Sequence, residues 1–313
     1  MNDTPDTSAR EDLGADFKKA LDAGWLPIRE VARQTGVNAV TLRAWERRYG
    51  LVVPQRTPKG HRLYSADHVQ RILTILTWLN RGVAVGQVKP LLEAPQAFSE
   101  TVENDWHALR QSALAAVTQL NERGLDDSVN QAMALYPPRT LCEQLLMPLL
   151  AELEQRWQGQ FGARMEQTFF YSWLRSKFGA RIYHNNRQLR GAPLLLINHS
   201  DRPLEPHLWI CAWLVSSADC PVQVFDWPLP TGELALTIDH LQARGVLLYS
   251  SKAMNLSLLP KLLHGVGCPK MIAGPTVCIH HAELSARTTE IADLYLAEDP
   301  LSAHRVLVEC GLI

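Results

Sequence analysis

Five short apolar runs in the second half of the chain constrain the fold more than any other feature: "PLLLINHS", "VQVFDW", "GVLLYS", "PKMIAG" and "IADLYLAE". Each has the length of a strand and is followed by a polar turn. Helix-like segments such as "HLWICAWLVSSA" and "SLLPKLLHGVG" lie between them. Regular alternation of this kind predicts an α/β domain with a doubly wound parallel sheet, in which ligands sit at the carboxyl ends of the strands. The stretch "LEPHLWI", with Glu205 two residues before His207, follows the first of those strands.

Upstream of Ala192 the pattern is helical. Ser99 to Asn121, Asp126 to Leu135, Pro138 to Gln158 and Arg164 to Tyr183 read as four helices, separated by Gly124, the Pro137-Pro138 pair and Gly159/Gly162. Four such segments predict a bundle. The last is aromatic, with Phe169, Phe170, Tyr171, Trp173 and Phe178, and rings at helical spacing are read as core.

The first part of the chain differs in charge. Between Trp25 and Pro90 stand eleven Lys and Arg against three Asp and Glu, a net of +8, so the remainder must carry −9 to give the total of −1. Such a concentration on one small domain is the footprint expected for a polyanion. In this segment Ile28, Val31 and Ala32 recur at helical spacing and stop at Thr35-Gly36. A second helix starts after Asn38 as N-cap and ends at Gly50. Two short helices around a glycine turn predict a helix-turn-helix. The following "VVPQRTPKGHRLYS" reads as a small hairpin, or wing. Ser65 then caps a third helix with Val69, Ile72, Leu73, Leu76 and Leu79 as its apolar stripe.

This segment resembles the DNA-binding domain of MerR-family transcription regulators. The resemblance rests on "VTLRAWERRYGL", then "PQRTPKGHRLYS", then the third helix, in order over about seventy residues. It implies that the second helix enters the major groove of double-stranded operator DNA while the wing grips the flanking backbone. Matched position by position, it places Thr41 and Arg43 on the reading face and Trp45 against the sugar-phosphate. Arg47 or Arg48 would reach a phosphate, and Arg56, His61, Arg62 and Tyr64 of the wing would position the protein. The chemistry agrees, because Arg bonds guanine bidentately or clamps a phosphate and Thr contacts a base edge or a thymine methyl. Trp45 also has the spacing of a core residue relative to Val40 and Leu42, so both readings stand at this point.

A helical bundle and an α/β domain behind such a reader resemble the cobalamin-binding regulators of the CarH and LitR type and their relatives of the MlrA type. In the cobalamin-binding members the loop after the first strand carries Glu-x-His-x-x-Gly, the third strand ends near a serine, and the fourth ends in Gly-Gly. The matching positions here are Glu205, His207 and Ile210, then Ser250, then Gly274-Pro275. The bundle's tryptophan followed by Glu-His is matched by Trp157 and then Glu166-Gln167, with a spacing one residue shorter. The resemblance thus implies a cofactor set of Trp157, Glu166, Gln167, Glu205, His207, Ser250 and Gly274, with His207 as a metal ligand only where cobalamin is bound. The departures argue against it. Ile210 fills space that a glycine would leave clear, Pro275 removes an N–H, and the Gln167 amide is a poor cobalt ligand compared with imidazole. The expectation is no bound cofactor, with His207 hydrogen-bonded within its loop. A cobalamin-dependent light sensor is the alternative.

Other classes find no support in the residues. No apolar run approaches the ~18 residues of a membrane span, and the first twenty residues are polar and acidic, so a cytoplasmic, nucleoid-associated protein without membrane contact is expected. The six cysteines form no CxxC pair and read as reduced, mostly buried thiols. His280-His281 with Glu283 is too clustered for a helical metal pair, and no GxSxG, Walker or GxGxxG pattern occurs, so no enzyme is expected. The expected organisation is an acidic tail over 1–24, a winged helix-turn-helix over 25–93, a helical bundle over 94–190 and an α/β sensor or docking domain over 191–313. The partners expected are operator DNA, further copies of the chain as a dimer or tetramer, and a separate photoreceptor or other signalling protein.

Overall fold

The computed structural model describes residues 21, 23–93, 103–159, 161–200, 202–230 and 232–313. Most of the expected acidic tail, the expected boundary at 93/94 and the start of the helix expected from Ser99 lie outside the described residues. The chain divides into two compact units, the first ending at Glu152 and the second beginning at Leu153.

In the first unit, strand β1 (Leu26–Pro27) leads into helix α1 (Ile28–Thr35). Gly36 ends α1 with φ +69°, a left-handed conformation in which glycine carries no Cβ penalty. Asn38 then caps α2 (Ala39–Ala44), its side chain accepting from the Thr41 amide at 2.8 Å. A π-helical turn, Trp45–Tyr49, carries α2 on to Gly50. Strands β2 (Gln55–Arg56) and β3 (Arg62–Tyr64) form the expected hairpin, and β1 joins it to give an antiparallel sheet in the order β1-β3-β2.

Helix α3 (Ala66–Asn80) opens with a capping box in which Ser65 and His68 satisfy each other's backbone amides. Its buried residues are Ile72, Ile75 and Leu79, a spacing of three and then four. The stripe is thus turned from the expected one: Ile75 is core, and Leu73 is exposed. Helix α4 (Val85–Glu93) was not expected, and it buries Val85, Val88 and Leu91 with Pro90 in its interior. Helices α5 (Glu103–Thr118) and α6 (Glu122–Leu135) follow, and then three segments run on as one rod, α7: Pro138–Leu141, a π turn over Cys142–Leu146, and Met147–Arg156.

The second unit begins within α7 and continues with α8 (Ala163–Asn186). It then alternates β4 (Leu194–Asn198), α9 (Pro206–Ser217), β5 (Val222–Phe225), α10 (Leu234–Leu241), β6 (Gly245–Tyr249), a 3-10 turn (Leu256–Leu258) with α11 (Leu259–Leu262), β7 (Lys270–Ala273), α12 (Thr276–Ile279), α13 (His281–Glu290), β8 (Leu294–Ala297) and α14 (Pro300–Glu309). All five strand expectations fall on strands. They pair in parallel in the order β5-β4-β6-β7-β8, so the chain winds one way from β4 to β5 and the other way from β6 onward. The crevice where that reversal occurs, at the carboxyl ends of β4 and β6, is where ligands enter such sheets.

One layer of helices packs on Leu195, Ile197, Val246, Leu248 and Ile272, closing the core with Leu259 and Leu284. Each such side chain contributes roughly 1.5–3 kcal/mol when fully withdrawn from water. Helix α9 is buried almost all round and packs against α8, α14 and strands β4 and β5. Three cysteines, Cys142, Cys211 and Cys220, are buried, and Cys278 is exposed. No helix among the described residues is long and apolar enough to cross a membrane.

Candidate functional site

Two sites were legible in the sequence, and the structure gives each a geometry. The first lies on α2 and the wing. Leu42 and Trp45 are buried, and Arg43, Arg47 and Arg48 are exposed. Arg43 and Arg47 are four residues apart and share a face, and the Arg47 Nε donates to the Arg43 carbonyl at 3.4 Å.

Two residues expected on that face are elsewhere. Thr41 is fully buried, and its hydroxyl has no hydrogen-bond partner among the described residues. Trp45 is fully buried, and its indole N–H donates to the Leu135 carbonyl at the end of α6, 2.8 Å away. Neither side chain is open to DNA. At helical period these two positions turn inward with Leu42, which the spacing of Trp45 already allowed and the assignment of Thr41 overlooked.

In the wing, the loop between β2 and β3 is closed by the Thr57 amide on the His61 carbonyl at 2.9 Å, with Gly60 at φ +78°. Arg56 and His61 are exposed and Arg62 is partly so. Tyr64 is buried, so it supports the wing from within and does not reach a phosphate. Burial, and then the nearby Glu46 carboxylate, push its phenol up to about 12.

The residue that organises this surface is one the sequence reading passed over. Glu46, on the π turn, accepts from Arg56 Nη2 at 2.6 Å and from Arg62 Nε at 2.5 Å. Burial alone would raise its carboxyl, and the two guanidiniums outweigh that and hold it below the usual range. One carboxylate therefore clasps the wing to the helix. A lone acid inside "AWERRYG", followed by a wing rich in Arg, was the available signal.

The second site is the crevice at the ends of β4 and β6. Glu205, at the mouth of α9, is a buried carboxylate. The Ser200 hydroxyl donates to its Oε2 at 2.9 Å, and His207 Nδ1 lies 3.3 Å from its Oε1. Burial acts to raise this carboxyl, but His207, Ser251 and Ser200 together bring it below the usual range. The His207 ring lies parallel to Tyr249, with 6.1 Å between centroids. His207 lines a cavity of about 330 Å³, bounded also by Glu154, Trp157, Gln167, Tyr171, Arg202 and Ser251 among others. Ser250, expected here, is buried and donates its hydroxyl to the Lys252 carbonyl, so its neighbour Ser251 lines the cavity in its place.

The residues present do not fit a corrinoid. Ile210 is fully buried inside α9, where a nucleotide tail would need an open backbone. At Gly274, φ is +100° and the position a Cβ would take is 2.5 Å from the Ser250 carbonyl and 2.9 Å from the Tyr249 ring, so the protein's own atoms fill that notch. Glu166 is drawn onto Arg156 and onto the Trp157 indole N–H at 3.1 Å. Gln167 lines the cavity but carries no imidazole. Among the described residues, no group of three or more His, Cys, Asp and Glu could hold a metal ion.

Comparison with known proteins agrees with this architecture. The family model described as MerR HTH family regulatory protein matches residues 26–95, and the one described as B12 binding domain matches residues 109–182. The chain is 34% identical over 203 residues to the HTH-type transcriptional regulator MlrA of Salmonella typhimurium strain SL1344, covering 63% of this chain and 78% of that protein. It is 39% identical over 127 residues to MlrA of Escherichia coli K12, covering 41% of this chain and 51% of the relative. Against the HTH-type transcriptional repressor CarH of Myxococcus xanthus the identity is 30% over 141 residues, covering 42% and 47%.

Proposed function

Because this chain belongs to the MerR family of helix-turn-helix transcriptional regulators, we propose that α2 and the β2–β3 wing bind a specific double-stranded operator, and that the second unit tunes this binding through a partner protein. The observation that carries the first half is the exposed Arg43–Arg47 face beside a wing whose Arg56 and Arg62 are held to α2 by Glu46. Arg43 reads a base edge, Arg47 takes a phosphate, and Arg56, His61 and Arg62 set the register on the backbone. A reader of this size buries little DNA surface alone, so copies of the chain pair on two half-sites. The protein acts on the chromosome, in the cytoplasm.

The second half rests on the lining of the crevice. Ile210 is buried where a glycine would leave the backbone clear, the notch at Gly274 is taken by the Ser250 carbonyl and the Tyr249 ring, and His207 is engaged with Glu205. The signal then comes through protein contact, for which a separate photoreceptor is a fitting source. One experiment tests both halves. The full chain, purified from cells grown with cobalamin, is passed through a selection from random duplex DNA, and its absorption spectrum is recorded before and after adding adenosylcobalamin and gel filtration. A colourless protein with a recovered operator is the expected result. Retained corrinoid bands that vanish in His207→Ala would make it a cobalamin sensor instead.

A further inference from the structure

The first turn of α2 presents an apolar group where a reading helix would be expected to be polar. Val40 is 61% exposed. Its neighbours are already committed: the Asn38 side chain caps the Thr41 amide, Thr41 and Leu42 are buried, and Ala39 is partly buried. Val40 and Arg43, three residues apart, are thus the outward side chains of the first turn, on the face that continues to Arg47.

Local physics does not favour a valine there. A β-branched side chain loses rotamer freedom in a helix, and in water it contributes no burial. A single exposed apolar residue needs no explanation on an ordinary surface, but this one stands at the amino-terminal end of the helix read as entering the groove. On the major-groove edges of the base pairs, all the distinguishing groups but one are hydrogen-bond donors or acceptors, and the exception is the C5 methyl of thymine. We propose that Val40 packs on a thymine methyl in each half-site and so specifies that base, next to the position read by Arg43. This rests on the reading that α2 enters the major groove.

The test uses the full chain and the operator recovered by selection, with each thymine replaced in turn by deoxyuridine, which removes only the methyl. One thymine per half-site should show a loss of about fourfold, which is about 0.8 kcal/mol and the worth of one buried methyl. Val40→Ala, which removes the contact in both half-sites at once, should lose about sixteenfold on thymine DNA, as the unaltered protein does when both thymines are replaced, and should lose nothing further on that doubly replaced operator. Val40→Thr, which keeps one methyl able to meet the thymine, should lose less than Val40→Ala and stay sensitive to deoxyuridine. If no replacement affects the unaltered protein, or if Val40→Ala and deoxyuridine losses simply multiply, the contact does not exist. Arg43→Ala serves as the control. Full affinity in that variant takes α2 out of the groove and overturns both readings, whereas a normal loss there with no sensitive thymine overturns the Val40 contact alone.

Discussion

Trp45→Phe separates the two roles that the sequence left open for this residue. The indole is fully buried, and its N–H is held by the Leu135 carbonyl at 2.8 Å. Phenylalanine keeps an aromatic ring in the site but cannot donate. The Leu135 carbonyl, buried with its donor gone, costs about 1–3 kcal/mol. The smaller ring adds about 1–2 kcal/mol for lost contacts and residual cavity. The variant should therefore be about 2–5 kcal/mol less stable in urea unfolding, with the slope against denaturant unchanged. Well below its midpoint, its operator affinity should stay within about twofold of the unaltered protein, since nothing that touches DNA has been removed. A variant with full stability that binds its operator at least tenfold more weakly would show that the indole faces the sugar-phosphate, and the assignment of Trp45 to the core would fail.

Four further outcomes follow from the geometry. Arg43→Ala should weaken operator binding by ~1–3 kcal/mol and relax preference at one base position, read by selection with the variant; an unchanged sequence preference would contradict it. Glu46→Gln releases Arg56 and Arg62, so binding to arbitrary duplex should tighten and its logarithmic salt slope should steepen by about one to two; an unaltered slope argues against the clasp. Gly274→Ala puts a Cβ 2.5 Å from a carbonyl oxygen at φ +100°, and a strain of about 3 kcal/mol should lower the melting temperature by roughly 6–12 °C; a shift under about 2 °C would show that the loop relaxes freely. Glu205 has a folded-state carboxyl lowered from its ordinary value, so its stabilisation is present above the unfolded value of about 4.3 and is lost as pH falls through the lower folded value. Glu205→Gln should remove that acid-dependent component, so that urea midpoints of the variant vary less between pH 3 and 5, on the order of the usual carboxylate range; parallel pH curves for the two proteins would rule this out.

Periodicity and punctuation explain what the sequence made visible. Strands β4 to β8 are short apolar runs between turns, and they were placed because parallel strands leave little else to choose. Asn38, Gly36 and Ser65 marked real helix ends because capping chemistry is local. What failed was orientation about a helix axis. Thr41 and Val40 are adjacent and exchange inside for outside, and Leu73 and Ile75 do the same two residues apart, because a rotation of a few tens of degrees is set by tertiary packing. Helix α4 escaped because a proline in the interior of a helix ordinarily breaks or kinks it, and Pro90 stands in the interior of this one. In the crevice, Glu205 and His207 were found together, but Ser251 was missed by one position: which serine lines a cavity depends on the turn after β6, where Ser250 is spent on Lys252. Glu46 was invisible for a different reason. Its meaning lies in two arginines ten and sixteen residues away, brought to it only by the hairpin.

In the proposed mode of binding, where Arg56 and Arg62 meet the backbone, the Glu46 clasp makes the grip on DNA competitive. A phosphate that approaches Arg56 or Arg62 must draw the guanidinium away from a carboxylate already bound to it. A stray stretch of duplex offers only its charge in exchange, and gains little. A duplex that also satisfies the reading face supplies additional free energy at the same moment, so opening the clasp becomes favourable there. A single acidic residue in a basic surface thus acts as a threshold: it lowers residence on the excess of irrelevant sites, and it leaves the rare correct one comparatively undiminished.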